Sequence, residues 1–136
     1  MRTFAVDTTA DPERAWRLLA RPGDWPRWSP HVRGAWSLGA PEVREGAVGA
    51  ARLLGVIPVP ARVVRKRAGR SWTWRVGFGL VEMVHRVEPR ADGGGAVVAI
   101  DVIAPGPVER AFALAYGPVI ELSLRRLARQ AEAGAA

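Results

Sequence analysis

The sequence has no cysteine and no asparagine, and its only glutamine, lysine and tyrosine are Gln130, Lys66 and Tyr116. Without cysteine there can be no disulfide, no thiol nucleophile and no thiolate metal site. Histidine is nearly as scarce. His31 and His85 lie far apart, in neither an HxxxH nor an HExxH arrangement, so no zinc site of recognisable spacing is present. There is no P-loop, no GxGxxG and no GxSxG, and none of the four serines has a triad context. Nucleotide-dependent, redox and hydrolase chemistries are therefore disfavoured. No apolar run approaches the roughly eighteen residues of a membrane span, and the first residues, MRTFAVDTTADPER, lack the apolar stretch of a signal peptide. These features predict a cytoplasmic protein.

What the 136 residues do contain is an apolar half and an excess of positive charge. The length suits one domain, residues 1–136, with a substantial core. The formal net charge is +7, and nineteen of the twenty basic side chains are arginine. A GC-rich genome, which favours Arg, Ala, Gly and Pro codons, accounts for that bias. The sharper alternative is an acidic partner drawn to a positive surface. Arg62, Arg65, Lys66, Arg67 and Arg70 form the densest basic stretch. A solvated face is the first reading of it and docking of an acidic carrier protein the second. Nucleic acid comes third, because such a platform wants exposed aromatics between its charges. Monomer and homodimer both remain open.

Residues Arg2 to Thr8 alternate, with Phe4 and Val6 on one face, and predict a half-buried strand. Asp11-Pro12-Glu13 reads as an N-cap, a first-position proline and a first-turn acid, followed by the apolar face Ala15, Leu18 and Leu19. Asp24 to Trp28 suits one further helical turn. From Val32 the period is two. Val32, Gly34, Trp36 and Leu38 share a face, and runs follow over Ala47 to Leu54, Ala61 to Arg67, Ser71 to Phe78, Leu80 to Glu88 and Ala96 to Ala104. Trp72, Trp74, Val76 and Phe78 point one way on their strand; Val81, Met83, His85 and Val87 share a face of the next. Pro58 and Pro60 predict a turn or bulge rather than a central strand. Asp92 to Gly95 is a hairpin turn. A helix from about Val108 to Ala133 carries Phe112, Tyr116, Ile120, Leu124 and Leu127 on one stripe, with a kink expected at Gly117-Pro118.

The order β-α-α-β(6)-α predicts an α+β fold in which a curved antiparallel sheet wraps a long C-terminal helix and encloses an apolar cavity. Together with ADPERAWRLLARPGDWPRWSPHV (Ala10 to Val32), Val87-Glu88-Pro89, Asp92 to Gly95 and Leu124-Arg125-Arg126-Leu127 up to Glu132, that order resembles the START-like, helix-grip superfamily called SRPBCC. The resemblance is to its polyketide cyclase/dehydrase type. Ala96 stands where that branch often has threonine. The resemblance covers the whole chain and implies the helix-grip fold. It implies function only loosely, because the superfamily mixes cyclases, aromatases, dehydratases, lipid carriers and ligand sensors.

What remains for chemistry is acid–base work in an apolar pocket, without cofactor or metal. His85, mid-strand on an apolar face, titrates near neutrality and suits proton transfer at a carbon beside a carbonyl. The competing reading is a core histidine satisfied by backbone. Tyr116, on the inward helix stripe, could polarise a carbonyl or simply pack the helix onto the sheet. Trp28, Trp72 and Trp74 suit the walls of a site for a planar or isoprenoid ligand, with Met83, Phe112 and Ile120 beside them. Trp16 and Trp36 read as ordinary core. Arg52 suits either a carboxylate or enolate contact or a solvated face, and Asp101 an outward place on the convex face. Two functions follow. One is a cofactor-free cyclase, aromatase or dehydratase acting on a hydrophobic, polyketide-like substrate. The other is non-catalytic binding or transport of a hydrophobic small molecule or lipid. Polar groups converging at one end of the cavity favour the first, and a wholly apolar cavity the second.

Overall fold

A computed structural model of the chain describes residues 1–29, 34–53, 57–77 and 79–133. In chain order the elements are β1 (Arg2–Thr8), α1 (Pro12–Ala20), α2 (Trp25–Trp28), β2 (Gly34–Trp36), β3 (Val48–Leu53), β4 (Ile57–Arg67), β5 (Ser71–Val76), β6 (Val81–Pro89), β7 (Ala96–Ile103) and α3 (Gly106–Ala133). The seven strands make one antiparallel sheet in the order β1-β7-β6-β5-β4-β3-β2. β1 thus pairs with the last strand, and α3 packs across the concave side. This is the helix-grip arrangement the element order predicts. Val32, Leu54 and Phe78 lie outside the described residues.

Local chemistry explains the element ends. Asp11 caps α1 by accepting the Glu13 N–H at 2.9 Å, and Pro12 opens the first turn. The β6–β7 hairpin closes on Asp92, whose Oδ1 accepts the Gly94 N–H at 2.9 Å. α3 runs through Gly117-Pro118 without interruption. Pro118 has no N–H to give the Leu114 carbonyl, but Leu114 is 85% exposed, so water can serve it. Gly117 lets α3 close on β1, since a Cβ there would meet the Phe4 ring at 3.2 Å.

Two expectations are corrected. Pro58 and Pro60 lie inside β4, opposite Arg52 and Ala50 of β3. The β5 pairing begins only at Ala61, so both prolines occupy a stretch with a neighbour on one side, where a missing N–H costs no ladder bond. The bulge in β4 falls instead between Val63 and Arg65. Trp36 is not core: it is 45% exposed, whereas Leu38 is 1% exposed. β2 ends at Trp36, and Ser37 takes φ 65°, which breaks the alternation that would have put both on one face.

Elsewhere the period-two reading holds. The register sets Trp72 beside His85 and His85 beside Ile100; it sets Trp74 beside Met83 and Met83 beside Val102. All six are buried on the concave side. Asp101 occupies the opposite, convex face, yet is only 7% exposed. Arg86 covers it, donating from Nε at 2.9 Å, and Thr3 Oγ1 donates to it at 2.7 Å. Burial pushes the Asp101 carboxyl up, but these hydrogen bonds prevail and hold it below its usual range.

Candidate functional site

The cavity walls are set by the C-terminus of α1. A helix leaves its last four carbonyls without intrahelical donors, and all four are met here. Arg21 N–H serves Arg17 at 3.2 Å, and Val43 N–H serves Ala20 at 2.9 Å. The Trp28 indole donates to Leu18 at 2.8 Å, and the Trp25 and Trp72 indoles both donate to Leu19, at 3.0 and 3.1 Å. The negative end of the helix dipole favours these donors. Three indoles from α2 and β5 are thereby fixed in orientation at one point.

The rings then stack upon one another. Trp25 lies parallel to Trp72 at 5.4 Å, and His85 lies on Trp72 at 3.8 Å with 3° between planes. Trp74 meets Trp25, Trp72 and His85 edge to face at 5.4, 5.3 and 5.6 Å. Such geometry places positive ring edges on negative ring faces. Its indole Nε1–H is buried and has no acceptor among the described residues.

Between this cluster and α3 lies a cavity of about 90 Å³. The sheet contributes Trp72, Trp74, Val76, Met83, His85 and Ile100, α2 and its end contribute Trp25, Trp28 and Ser29, and α3 contributes Phe112, Tyr116, Ile120 and Ser123. No charged side chain lines it among the described residues. Phe112 and Tyr116, stacked at 5.0 Å, are the half-exposed part of the wall; the other lining residues are buried. The cavity is smaller than the roughly 300–1,000 Å³ of typical ligand pockets, so a ligand of drug size needs the walls to yield.

His85 is 4% exposed, with Nδ1 at 3.4 Å from the Trp72 carbonyl. Desolvation pulls its imidazole down to about 3, against a weaker upward pull from the backbone of Trp72 and Met83. It is neutral at physiological pH. Burial pushes the Tyr116 phenol up, so it keeps its proton.

Eight of the nine residues singled out from sequence, namely His85, Tyr116, Trp28, Trp72, Trp74, Met83, Phe112 and Ile120, line this one cavity. Arg52 does not: it is exposed, with its guanidinium 5.7 Å from the Trp36 ring centroid. The basic stretch is divided as well. Lys66 pairs with Glu42 at 3.0 Å, and Arg65 shares Glu82 with Arg75. Sequence reasoning did not single out Trp25, Ser29, Val76, Ile100 and Ser123, which line the cavity too. Trp25 and Ser29 gave little signal, since a single helical turn has too few residues to define a face, and Ser123, on α3, is polar and so falls outside an apolar count. The Ser29 and Ser123 hydroxyls lie 3.4 Å apart across α2 and α3. Among the described residues no three metal-ligating side chains come together, and no helix is long and apolar enough to cross a membrane.

Residues 3–132 match the profile of the family described as polyketide cyclase/dehydrase and lipid transport. No curated protein matches the sequence. Among solved structures, a Bacillus cereus protein, XoxI, is 16% identical with TM-score 0.73, covering 95% of this chain and 93% of its own. A Rhodobacter sphaeroides protein is 20% identical with TM-score 0.72, over 96% and 91% of the two chains. A Staphylococcus saprophyticus protein is 11% identical with TM-score 0.74, over 97% and 91%. At these identities the likeness is one of fold.

Proposed function

The chain belongs to the polyketide cyclase/dehydrase and lipid transport family, and from that premise we propose that it binds an uncharged, flat, apolar small molecule in the cavity between β5, β6 and α3. The observation that carries this reading is the wall itself: stacked aromatics and aliphatics, with no charged side chain among the described lining residues. Burying a charged ligand there without a partner would cost far more than the apolar contact returns. A planar ligand gains both the area burial and the ring-on-ring geometry that the tryptophans already use among themselves.

Native mass spectrometry of the purified protein should show a co-purifying neutral, hydrophobic adduct. Ile120→Trp, which fills the cavity from α3, should remove the adduct while thermal unfolding stays cooperative. A protein that never carries or takes up an apolar ligand would refute the binding reading.

A second reading, acid–base catalysis of a cyclisation or dehydration, draws on one observation: His85 and Tyr116 line the same cavity. Tyr116 keeps its proton and suits donation to a carbonyl oxygen. His85 suits the role of base less well. A base with a pKa of about 3 sits far below neutral pH, and proton abstraction is most efficient when the two are close. Templating of a reactive chain by the walls needs no base at all. With a candidate substrate in hand, His85→Gln should lower turnover by roughly a hundredfold or more if the imidazole moves protons. An unchanged rate in the folded variant leaves templating or carriage.

A further inference from the structure

Four indoles line the cavity, and three of their N–H groups are committed to the Leu18 and Leu19 carbonyls. Trp74 is the exception. It is 6% exposed, and its Nε1–H has no acceptor among the described residues. A buried donor left unmade costs stability that a hydrophobic side chain of the same shape would not. Phenylalanine would supply an apolar ring at this position without that cost. The indole that carries this donor lines a cavity with no charged side chain among the described lining residues, and a ligand entering with an acceptor would supply the missing partner.

We propose that Trp74 makes this site selective for uncharged ligands that carry a hydrogen-bond acceptor on an otherwise apolar ring system, a carbonyl oxygen foremost. The inference rests on the binding reading given above and sharpens it to a ligand class. The neighbours support the assignment. Trp72, Trp25 and His85 hold the Trp74 ring edge to face on three contacts, so its N–H cannot readily turn elsewhere for a partner. A neutral acceptor suits a wall whose imidazole is uncharged, whereas a carboxylate would find no cation among the described lining residues. A ligand without an acceptor would leave the donor orphaned, which is how polar sites reject apolar analogues.

The test uses indane and 1-indanone, which share a bicyclic skeleton and differ by one carbonyl. Affinities of both are measured by NMR titration against the wild-type protein and Trp74→Phe. Partition from water enters both proteins equally, so the ratio of the two affinities isolates the donor. The indanone-to-indane ratio should fall about fivefold in the variant, the usual worth of one neutral hydrogen bond. A ratio unchanged by the substitution, with both ligands bound, overturns the inference and leaves the binding reading standing. If the wild-type protein binds neither ligand, both fall. Should Trp74→Phe fail to fold, the indole N–H resonance of Trp74 in the wild-type protein decides. It should move downfield with 1-indanone and not with indane. A resonance that stays at high field with both ligands would show the N–H satisfied by a neighbouring ring face, and would overturn the inference.

Discussion

At the residue scale the most consequential side chain is His85. In the fold it stays neutral down to a pKa of about 3, whereas an unfolded imidazole protonates near 6.5. Between those values the unfolded chain binds more protons than the folded one, so acid favours unfolding. Stability should therefore be complete above about pH 6.5 and fall by about 1.4 kcal/mol per unit below it. Urea titrations from pH 7 to 4 measure this slope, and His85→Phe, which keeps a ring on Trp72, should flatten it. Equal slopes in the two proteins would mean that the folded state protonates His85 readily. The inward face of His85 was legible from sequence because β6 alternates without interruption from Val81 to Val87. A backbone partner was one of the readings the sequence offered, but that it is the Trp72 carbonyl was not legible, since that depends on which strand lies beside β6. Trp36 went the other way, because a single positive φ at Ser37 is invisible to a period-two count.

At the scale of elements, β2 and α3 carry the sharpest consequences. Gly49 of β3 sits under the Trp36 carbonyl, where any Cβ would collide with backbone. Gly49→Ala should detach β2 from the sheet edge and cost a few kcal/mol, in line with backbone strain at a packed strand. Hydrogen exchange at Trp36 and Ala50, which pair across β2 and β3, would show it as lost protection confined to that edge. On α3, Phe112 and Tyr116 are the part of the cavity wall nearest solvent. Phe112→Ala should speed both entry and release of an apolar ligand while changing affinity less, a split that stopped-flow binding resolves. The α3 stripe was readable because five apolar residues at helical spacing admit one face only. The fixing of Trp25, Trp28 and Trp72 was not, because the acceptors are carbonyls of α1 and every residue has a carbonyl. Pro58 and Pro60 misled for a related reason: proline excludes a doubly paired strand position, but sequence does not reveal where the second neighbour begins.

For the molecule as a whole, charge and cavity lie on different surfaces. Arg62, Arg65 and Arg75 stand at exposed positions of β4 and β5, with Arg62 directly opposite Arg75, and among the described residues Glu82 bridges Arg65 and Arg75. The cavity walls face the other way. Neutralising Arg62 and Arg65 to Gln should thus leave small-ligand affinity within about twofold, as expected for screened surface charge. Calorimetry with any bound ligand checks this, and a large loss would mean that the convex face reaches the site. The sheet order was legible in outline because β2 to β7 lie side by side in chain order and only β1 crosses to the far edge. The arrangement of Trp25, Trp72 and Trp74, with centroids no more than 5.4 Å apart, has an optical side as well. Chromophores that close share their excited states. The near-ultraviolet circular dichroism should carry a coupled, bisignate indole band that an isolated tryptophan lacks. Because the same rings form the wall, a guest that shifts any of them would change the colour of the protein's own signal, and binding could be followed with no label at all.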